Sequence, residues 1–283
     1  MTSMKSAKAV PVLMYHHVSP ATKGLASSPA NFVSQMRWLA RHGWRTLSGE
    51  QLQGFLRDGL PVPAKSVVLT FDDGYLDNWQ YAHPVLKEHG FSAIMFLVTG
   101  WVGQGPARPC ATYKEIVENR VAAFEAWGHA ECKQWVEQGQ VDRVIVRQSE
   151  VDAMRDAGTF EFHSHTHSHV RWDLVSADVS AKREGLLRDL MSSRNFFEAH
   201  MGGATSQLCW PQGYFDQDYL DIANQSGFAS LYTTDSRGLN RAAGGCSHIY
   251  RVAVRNRGGW QFGQRVILGA SPLLGGLYNR LKS

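Results

Sequence analysis

The stretch SVVLTFDDG, residues 66–74, decides how the chain is read: six residues without a charge, four of them apolar, run into two adjacent aspartates and a glycine. A short run of this kind, with no helical spacing, is the pattern of a strand buried on both faces, as in a parallel sheet covered by helices. Downstream, residues 77–89 read as a helix that stops at Gly90, and SAIMFLV, 92–98, reads as the next strand. The unit is therefore strand, helix, strand.

The same unit recurs outward in both directions. Residues 10–15 form a candidate first strand, and Phe32, Met36 and Leu39 follow at helical spacing before Gly43. Beyond the central unit, Ser149 with Asp152 three positions on makes a helix-capping arrangement, and the strand 159–163 follows the stop at Gly158. A long helix over 176–200, a strand 207–210, a helix 216–225 and a strand 228–233 complete an alternation of seven or eight strands. That alternation is α/β, a parallel sheet or barrel with covering helices. Residues 103–148 lack a strand signal; GQGPARP is followed there by a helix-like stretch with Phe124, Trp127 and Trp135. We read this as an insertion and expect it to carry substrate specificity.

The 283 residues, 43% hydrophobic and 19% charged, suit one soluble barrel-sized domain of about 250 residues with additions. We place the core at about 10–255, the insertion at about 103–148 and a basic C-terminal extension at about 256–283. No apolar run approaches the roughly 20 residues a spanning helix needs. The opening MTSMKSAKAVPVLMYHHV has no apolar stretch leading to a small-residue cleavage site, which makes the cytoplasm the expected location. Cys110, Cys132, Cys209 and Cys246 show no metal or disulfide spacing and read as free thiols. From Ser236 onward there are eight Lys/Arg and no Asp/Glu. Mixed with Trp260, Phe262, Leu268, Leu273, Leu274 and Tyr278, those cations suit either an anionic membrane surface or a charged extension packed on the domain. No nucleic-acid motif accompanies the charge.

Three polar clusters each follow a strand: Asp72-Asp73-Gly74, the run His163 to His169, and Pro211-Gln212-Gly213. In parallel α/β folds the carboxyl ends of the strands meet on one face, so these clusters are expected to form one site. A DDG sequence alone is commonly just a turn. The second cluster holds four of the twelve histidines within seven residues, and neutral imidazole is a common metal ligand. Two histidines and a carboxylate leave open coordination positions, as in hydrolytic zinc sites, and a further aspartate could take a proton from water.

These residues resemble the polysaccharide deacetylase family, also called carbohydrate esterase family four. Thr70-Phe71-Asp72-Asp73-Gly74 matches its TFDDG motif, and two registers match H-[ST]-x-x-H: His163 with His167, and His165 with His169. The second register is preferred because Glu161-Phe162-x-Ser164-His165-Thr166-x-Ser168-His169 follows the family's EIGSHTxTH. The resemblance implies a distorted (β/α)7-type barrel. It implies that Asp73, His165 and His169 bind a divalent metal, zinc first with cobalt or nickel as alternatives, and that Asp72 is the general base. The third motif, R-x-P-Y-G, corresponds to Cys209-Trp210-Pro211-Gln212-Gly213. Trp210, Pro211 and Gln212 are thus expected at the substrate, with the Gln212 backbone N–H toward the oxyanion, but the arginine that orients the base is replaced by Cys209.

The opening Val12-Leu13-Met14-Tyr15-His16-His17 resembles members acting on poly-N-acetylglucosamine, in which the motif order is permuted. That implies His16 as general acid, with His248 as the rival and a satisfied core histidine as the plain reading of His16 or His17. Thr233-Thr234, Gly238, Asn240 and Arg251-Val252 extend the resemblance to about residue 255. The expected function is removal of N-acetyl groups from a GlcNAc-type sugar in a bacterial surface glycan or a lipid-linked saccharide such as a lipopolysaccharide core. Contact with the inner face of the cytoplasmic membrane is expected through the basic C-terminus, and no contact with nucleic acid. The alternatives are a glycan-binding protein that has lost activity and a hydrolase of small cyclic amides.

Overall fold

The computed structural model describes residues 5–121 and 124–275. Its strands are β1 (Val12–Tyr15), β2 (His17–Val18), β3 (Ala26–Ser27), β4 (Arg45–Thr46), β5 (Ser66–Asp73), β6 (Ala93–Leu97), β7 (Phe160–Ser164), β8 (Gln207–Cys209), β9 (Ser230–Tyr232) and β10 (Val252–Ala253). Eight of them form one parallel sheet in the order β10-β1-β5-β6-β7-β8-β9, with β4 also paired to β5. The helices are α1 (Pro29–Arg41), α2 (Gly49–Asp58), α3 (His83–His89), α4 (Tyr113–Val117), α5 (His129–Glu137), α6 (Gln148–Asp156), α7 (Trp172–Val175), α8 (Val179–His200), α9 (Gln217–Gln225) and α10 (Gly259–Ala270).

The register decides which side chains can meet. Val12 pairs with Val68, Thr70 with Ile94, Asp72 with Phe96, and Phe96 with His163, so these residues share one face of the sheet. That face holds Val12, Val68, Ile94, Phe96, Cys209 and Tyr232, packed on Leu52, Phe55 and Leu56 of α2. The other face carries Leu13, Val67, Leu69, Phe71, Met95, Leu97, Phe160 and Phe162 against α1 and α3. Both faces of β5 are therefore buried, as its uninterrupted apolar run requires. A curled parallel sheet with one helix plugging its inner face and others covering its outside is the α/β barrel type anticipated from the alternation.

Several elements depart from the sequence expectation, each for a local reason. The helix expected over 77–89 is a π-turn over Asn78–Ala82 followed by α3, which ends at Gly90 with φ 62°. In the insertion the helix begins only at His129, leaving Phe124 and Trp127 ahead of it, and Trp127 stacks on Trp135 edge to face. Ser149 does not cap α6: the helix starts at Gln148, the Glu150 carboxylate accepts the Arg147 N–H at 2.8 Å, and Ser149 donates to the Gly105 carbonyl. The helix expected over 176–200 is α8, which starts at Val179 because Asp178 caps it by accepting the Ala181 N–H at 2.7 Å; the short α7 before it was not anticipated.

The segment after residue 256 packs on the barrel. In α10, Phe262, Gly263 and Val266 are buried, and Gly263 lies so close to Trp38 of α1 that a side chain would not fit. Trp260 remains 71% exposed. Tyr278 and the last residues of the basic extension lie outside the described residues. Among the described residues, no helix is long and apolar enough to cross a membrane. All four cysteines are free.

Candidate metal and catalytic site

The carboxyl ends of β1, β5, β7 and β8 bring the expected clusters together. Strand β5 ends on Asp72 and Asp73, and the chain must then turn away sharply: Asp73 has φ 74° and Gly74 φ 83°. A side chain at Gly74 would also run into Leu97, so only glycine suits that position. Six described non-glycine residues have positive φ, and four of them lie at this site: Asp73, Thr166, His169 and Gln212. Such conformations cost about 1–3 kcal/mol each and persist where the surroundings over-determine them, which is characteristic of functional sites.

Asp73 Oδ1 stands 3.3 Å from His165 Nε2 and 3.5 Å from His169 Nε2, and it is buried without a hydrogen-bond partner. The chemistry of these three groups explains that orphaned oxygen. His165 Nδ1 donates to the Cys209 carbonyl at 2.8 Å, which turns Nε2 toward Asp73; burial opposes charge on this ring, but Cys209, Asp73 and Asp72 outweigh it and raise its pKa, so a cation at Nε2 would replace a proton there. Burial pulls the His169 pKa down to about 4, against the pull of Asp73, so that ring is neutral at pH 7. A carboxylate oxygen and two imidazole nitrogens that converge on one point fit a divalent cation.

A second cluster, Asp72, His165 and Cys209, is comparably tight. It already contains a cation. Arg251, fully buried, grips Asp72 with both terminal nitrogens, Nη1 to Oδ1 at 2.6 Å and Nη2 to Oδ2 at 2.9 Å. The guanidinium is held in turn by the Thr233 carbonyl at 2.7 Å and touches Cys209 Sγ at 2.9 Å. Burial alone would raise the Asp72 pKa; Arg251 first, then His165 and His16, outweigh it and hold the carboxyl below its ordinary value. Burial also raises the Cys209 thiol, which stays protonated. The Asp72 carboxylate is thus kept ionised and oriented, as a proton acceptor must be.

His16 Nε2 lies 3.9 Å from Asp72 Oδ2. His248, the rival acid, faces Asp235 at 3.4 Å and packs on Phe215 and Tyr250. His163 donates or accepts at Thr205 Oγ1, 2.7 Å, and faces Glu161 at 3.8 Å, one turn of the pleat below the metal group. His167 bonds Thr99 Oγ1 at 3.0 Å. Pro211, Gln212 and Gly213 form a short turn after β8, with Gln212 Oε1 accepting from Arg171 at 3.3 Å. The Trp210 side chain is fully buried among Phe215 and Tyr219, so any contact of that residue with a substrate falls to its backbone.

The residue that sequence reading passed over is Arg251. It lies 179 positions from Asp72, and the Arg251-Val252 pair was its only signal. Its Nη2 rests against the sulfur of Cys209, so a guanidinium reaches Asp72 beside the position where the motif's arginine is missing. One consequence can be measured directly. His165→Ala and His169→Ala should lose stoichiometric metal by elemental analysis, whereas His163→Ala should keep it; metal loss in His163→Ala alone would reverse the assignment.

A curled parallel sheet with a carboxylate and two imidazoles at its strand ends, beside an ionised second carboxylate, defines an α/β-barrel hydrolase site. The chain belongs to the polysaccharide deacetylase family: residues 59–231, more than half of its length, match the family model for polysaccharide deacetylases. That span includes Asp72, Asp73, His165 and His169 and leaves His16 and Arg251 outside. YxkH of Bacillus subtilis, provisionally named a polysaccharide deacetylase, is 23% identical over 87% of this chain and 71% of its own. The poly-β-1,6-N-acetyl-D-glucosamine N-deacetylase of Staphylococcus aureus is 22% identical over 78% of this chain and 65% of its own, so the match spans just under two thirds of that enzyme. Among solved structures, IcaB from Ammonifex degensii superposes with a TM-score of 0.68 over 94% of this chain and 99% of that one, at 21% identity. The fold is shared with that protein.

Proposed function

We propose that the protein is a metal-dependent N-deacetylase that hydrolyses the acetamide of a GlcNAc-type sugar in a bacterial surface glycan or a lipid-linked saccharide such as a lipopolysaccharide core. The observation that carries this reading is the pairing of two carboxylates with different duties. Asp73 lies open to a cation with His165 and His169, while Asp72 beside it is held as an ionised base by Arg251. A divalent metal, zinc first, would be held by Asp73, His165 and His169 and would supply Lewis-acid polarisation of the amide carbonyl.

The residues of the chain then account for the protons. Asp72 takes one proton from the attacking water, and a tetrahedral intermediate forms at the acetyl carbon. The backbone N–H of Gln212 stabilises the oxyanion. The C–N bond breaks as the amine nitrogen receives a proton from His16. Burial first, with Asp72 and Asp73 opposing it, lowers the His16 pKa, so the ring is proton-poor at neutral pH. The proton it delivers is the one Asp72 has just taken, relayed through one water, since the 3.9 Å between them is beyond hydrogen-bond reach. One water proton thus reaches the amine, the other stays with acetic acid, and both residues return to their resting states.

The substrate class draws support from the named activity of the staphylococcal relative. A lipid-linked sugar draws support from the C-terminal segment, where Trp260, Leu273 and Leu274 are exposed, as are Arg255 and Arg257, and which has no acidic residues. Such a surface suits an anionic membrane. A binding protein that has lost activity was suggested by Cys209 in place of arginine, and the bidentate Arg251 speaks against it. The test is acetate release from free and lipid-linked GlcNAc oligosaccharides, with and without a chelator. Chelator-sensitive release is expected; a metal-loaded protein that releases acetate from none of them would overturn the reading.

A further inference from the structure

The proposed reaction leaves unused a chain of polar contacts that ties the insertion to the strand ends. His17 of β2 lies between two partners: its Nδ1 is 2.7 Å from Asp77 Oδ2, and its Nε2 is 3.1 Å from Nδ1 of His129, the first residue of α5. The His17 ring is buried and stacks on Tyr75 with centroids 3.9 Å apart, so it is not free to turn. Asp77 is fixed as well, its other oxygen accepting the Val18 N–H at 3.3 Å. At the far end, the His129 ring meets the His16 ring edge to face at 5.7 Å. The insertion therefore reaches the proposed proton donor.

The order of donors and acceptors follows from the chemistry of the first link. A carboxylate only accepts, so His17 Nδ1 must donate to Asp77. With that one proton on its ring, His17 accepts at Nε2, and His129 Nδ1 donates to it. That leaves the His129 Nε2 lone pair, which meets no partner among the described residues, on a half-buried side chain beside His16. Burial keeps this ring neutral at pH 7, with a pKa of about 4. A ring held in one tautomer by two others can only receive a hydrogen bond at its remaining nitrogen.

We infer that His129 is a substrate-binding residue that the insertion adds to the site, fixed by Asp77 and His17 as a hydrogen-bond acceptor for a hydroxyl or N–H of the sugar beside the acetamido group. The substrate class rests on the deacetylase reading; the orientation of the ring does not. An amino sugar carries hydroxyl donors on the carbons flanking its acetamido group, and a neutral acceptor distinguishes these from the anionic groups of other polysaccharides. A structural staple would use the same His17 contact but would leave substrate affinity untouched.

Two measurements decide it. In the resting protein, long-range proton–nitrogen NMR of labelled histidines should show His17 and His129 both carrying their proton on Nδ1. Asp77→Asn, whose amide can donate, should turn part of the His129 population to the other tautomer. A proton on His129 Nε2 in the native protein would overturn the assignment whether or not any acetate is released. In turnover, His129→Phe should raise KM about tenfold, the loss of one good hydrogen bond, with kcat within about threefold, and His129→Gln should recover most of it. Unchanged KM in His129→Phe, with only a lower melting temperature, would make it a staple and sink the inference. Failure of the native protein to release acetate would count against the deacetylase reading, and the tautomers would still judge this one.

Discussion

Asp72→Asn should lower kcat for acetate release by about 10²–10⁴-fold, the usual contribution of a general base, while metal content stays stoichiometric. The two halves of this expectation come from different residues. Asparagine matches aspartate in shape but cannot take a proton, so the chemical step loses its acceptor. The metal group of Asp73, His165 and His169 is left as it was. The substitution also takes the counter-charge from a fully buried guanidinium, and breaking a buried pair from one side costs about 3–5 kcal/mol. Thermal unfolding and near-ultraviolet circular dichroism must therefore accompany the kinetics. A folded, metal-loaded Asp72→Asn protein with a near-normal rate would remove Asp72 as the base. Loss of metal from a folded variant would mean that Asp72, and not Asp73 alone, holds the cation.

What could be read in the sequence and what could not divide along physical lines. Buried parallel strands announce themselves as unbroken apolar runs, so β5, β6 and β8 were found within a residue or two of their ends. Strand ends are chain neighbours of their strands, which made the Asp72-Asp73 and His165/His169 clusters legible as one face. The two-residue strands β2, β3 and β4 carry too little sequence to show a period. Helix α2 was passed over although its Ser48 and Gln51 cap each other; its role as the plug of the inner face depends on residues from five strands. The choice between His163 and His165 lay beyond spacing, since both registers satisfy the motif. The pleat puts both on one side, two residues apart, and their height separates them: His165 lies just past the end of β7, by the turn at Thr166, and reaches Asp73, whereas His163 lies within the strand and meets Thr205. Long-range partners were the least visible: nothing within 40 residues of Asp72 indicates Arg251, and nothing near His17 indicates His129.

Arg251→Met should cost about 3–5 kcal/mol of stability and shift the acid limb of the rate profile toward higher pH. In the native protein burial raises the Asp72 pKa and Arg251 is the largest of the influences that bring it below the ordinary value. Its carboxylate therefore contributes stability that is present above the unfolded pKa, near 3.8, and lost as pH falls through the lower folded value. Methionine has similar length and no charge. Without the guanidinium, burial dominates, the folded pKa rises above the unfolded one, and the sign reverses: the variant loses stability as pH rises through 3.8 and the unfolded chain ionises first. The same shift protonates the base at pH values where the native enzyme is active, so turnover near neutrality should fall and recover in part on raising the pH. Arg251→Lys keeps a charge but not the two-pronged grip or the contact with the Thr233 carbonyl, and should fall between the two. An acid limb that stays where it is in Arg251→Met, in a folded protein, would show that Asp72 owes its ionisation to the metal and the histidines instead. The arginine would then be a packing residue, and Cys209 would mark a real loss from the site.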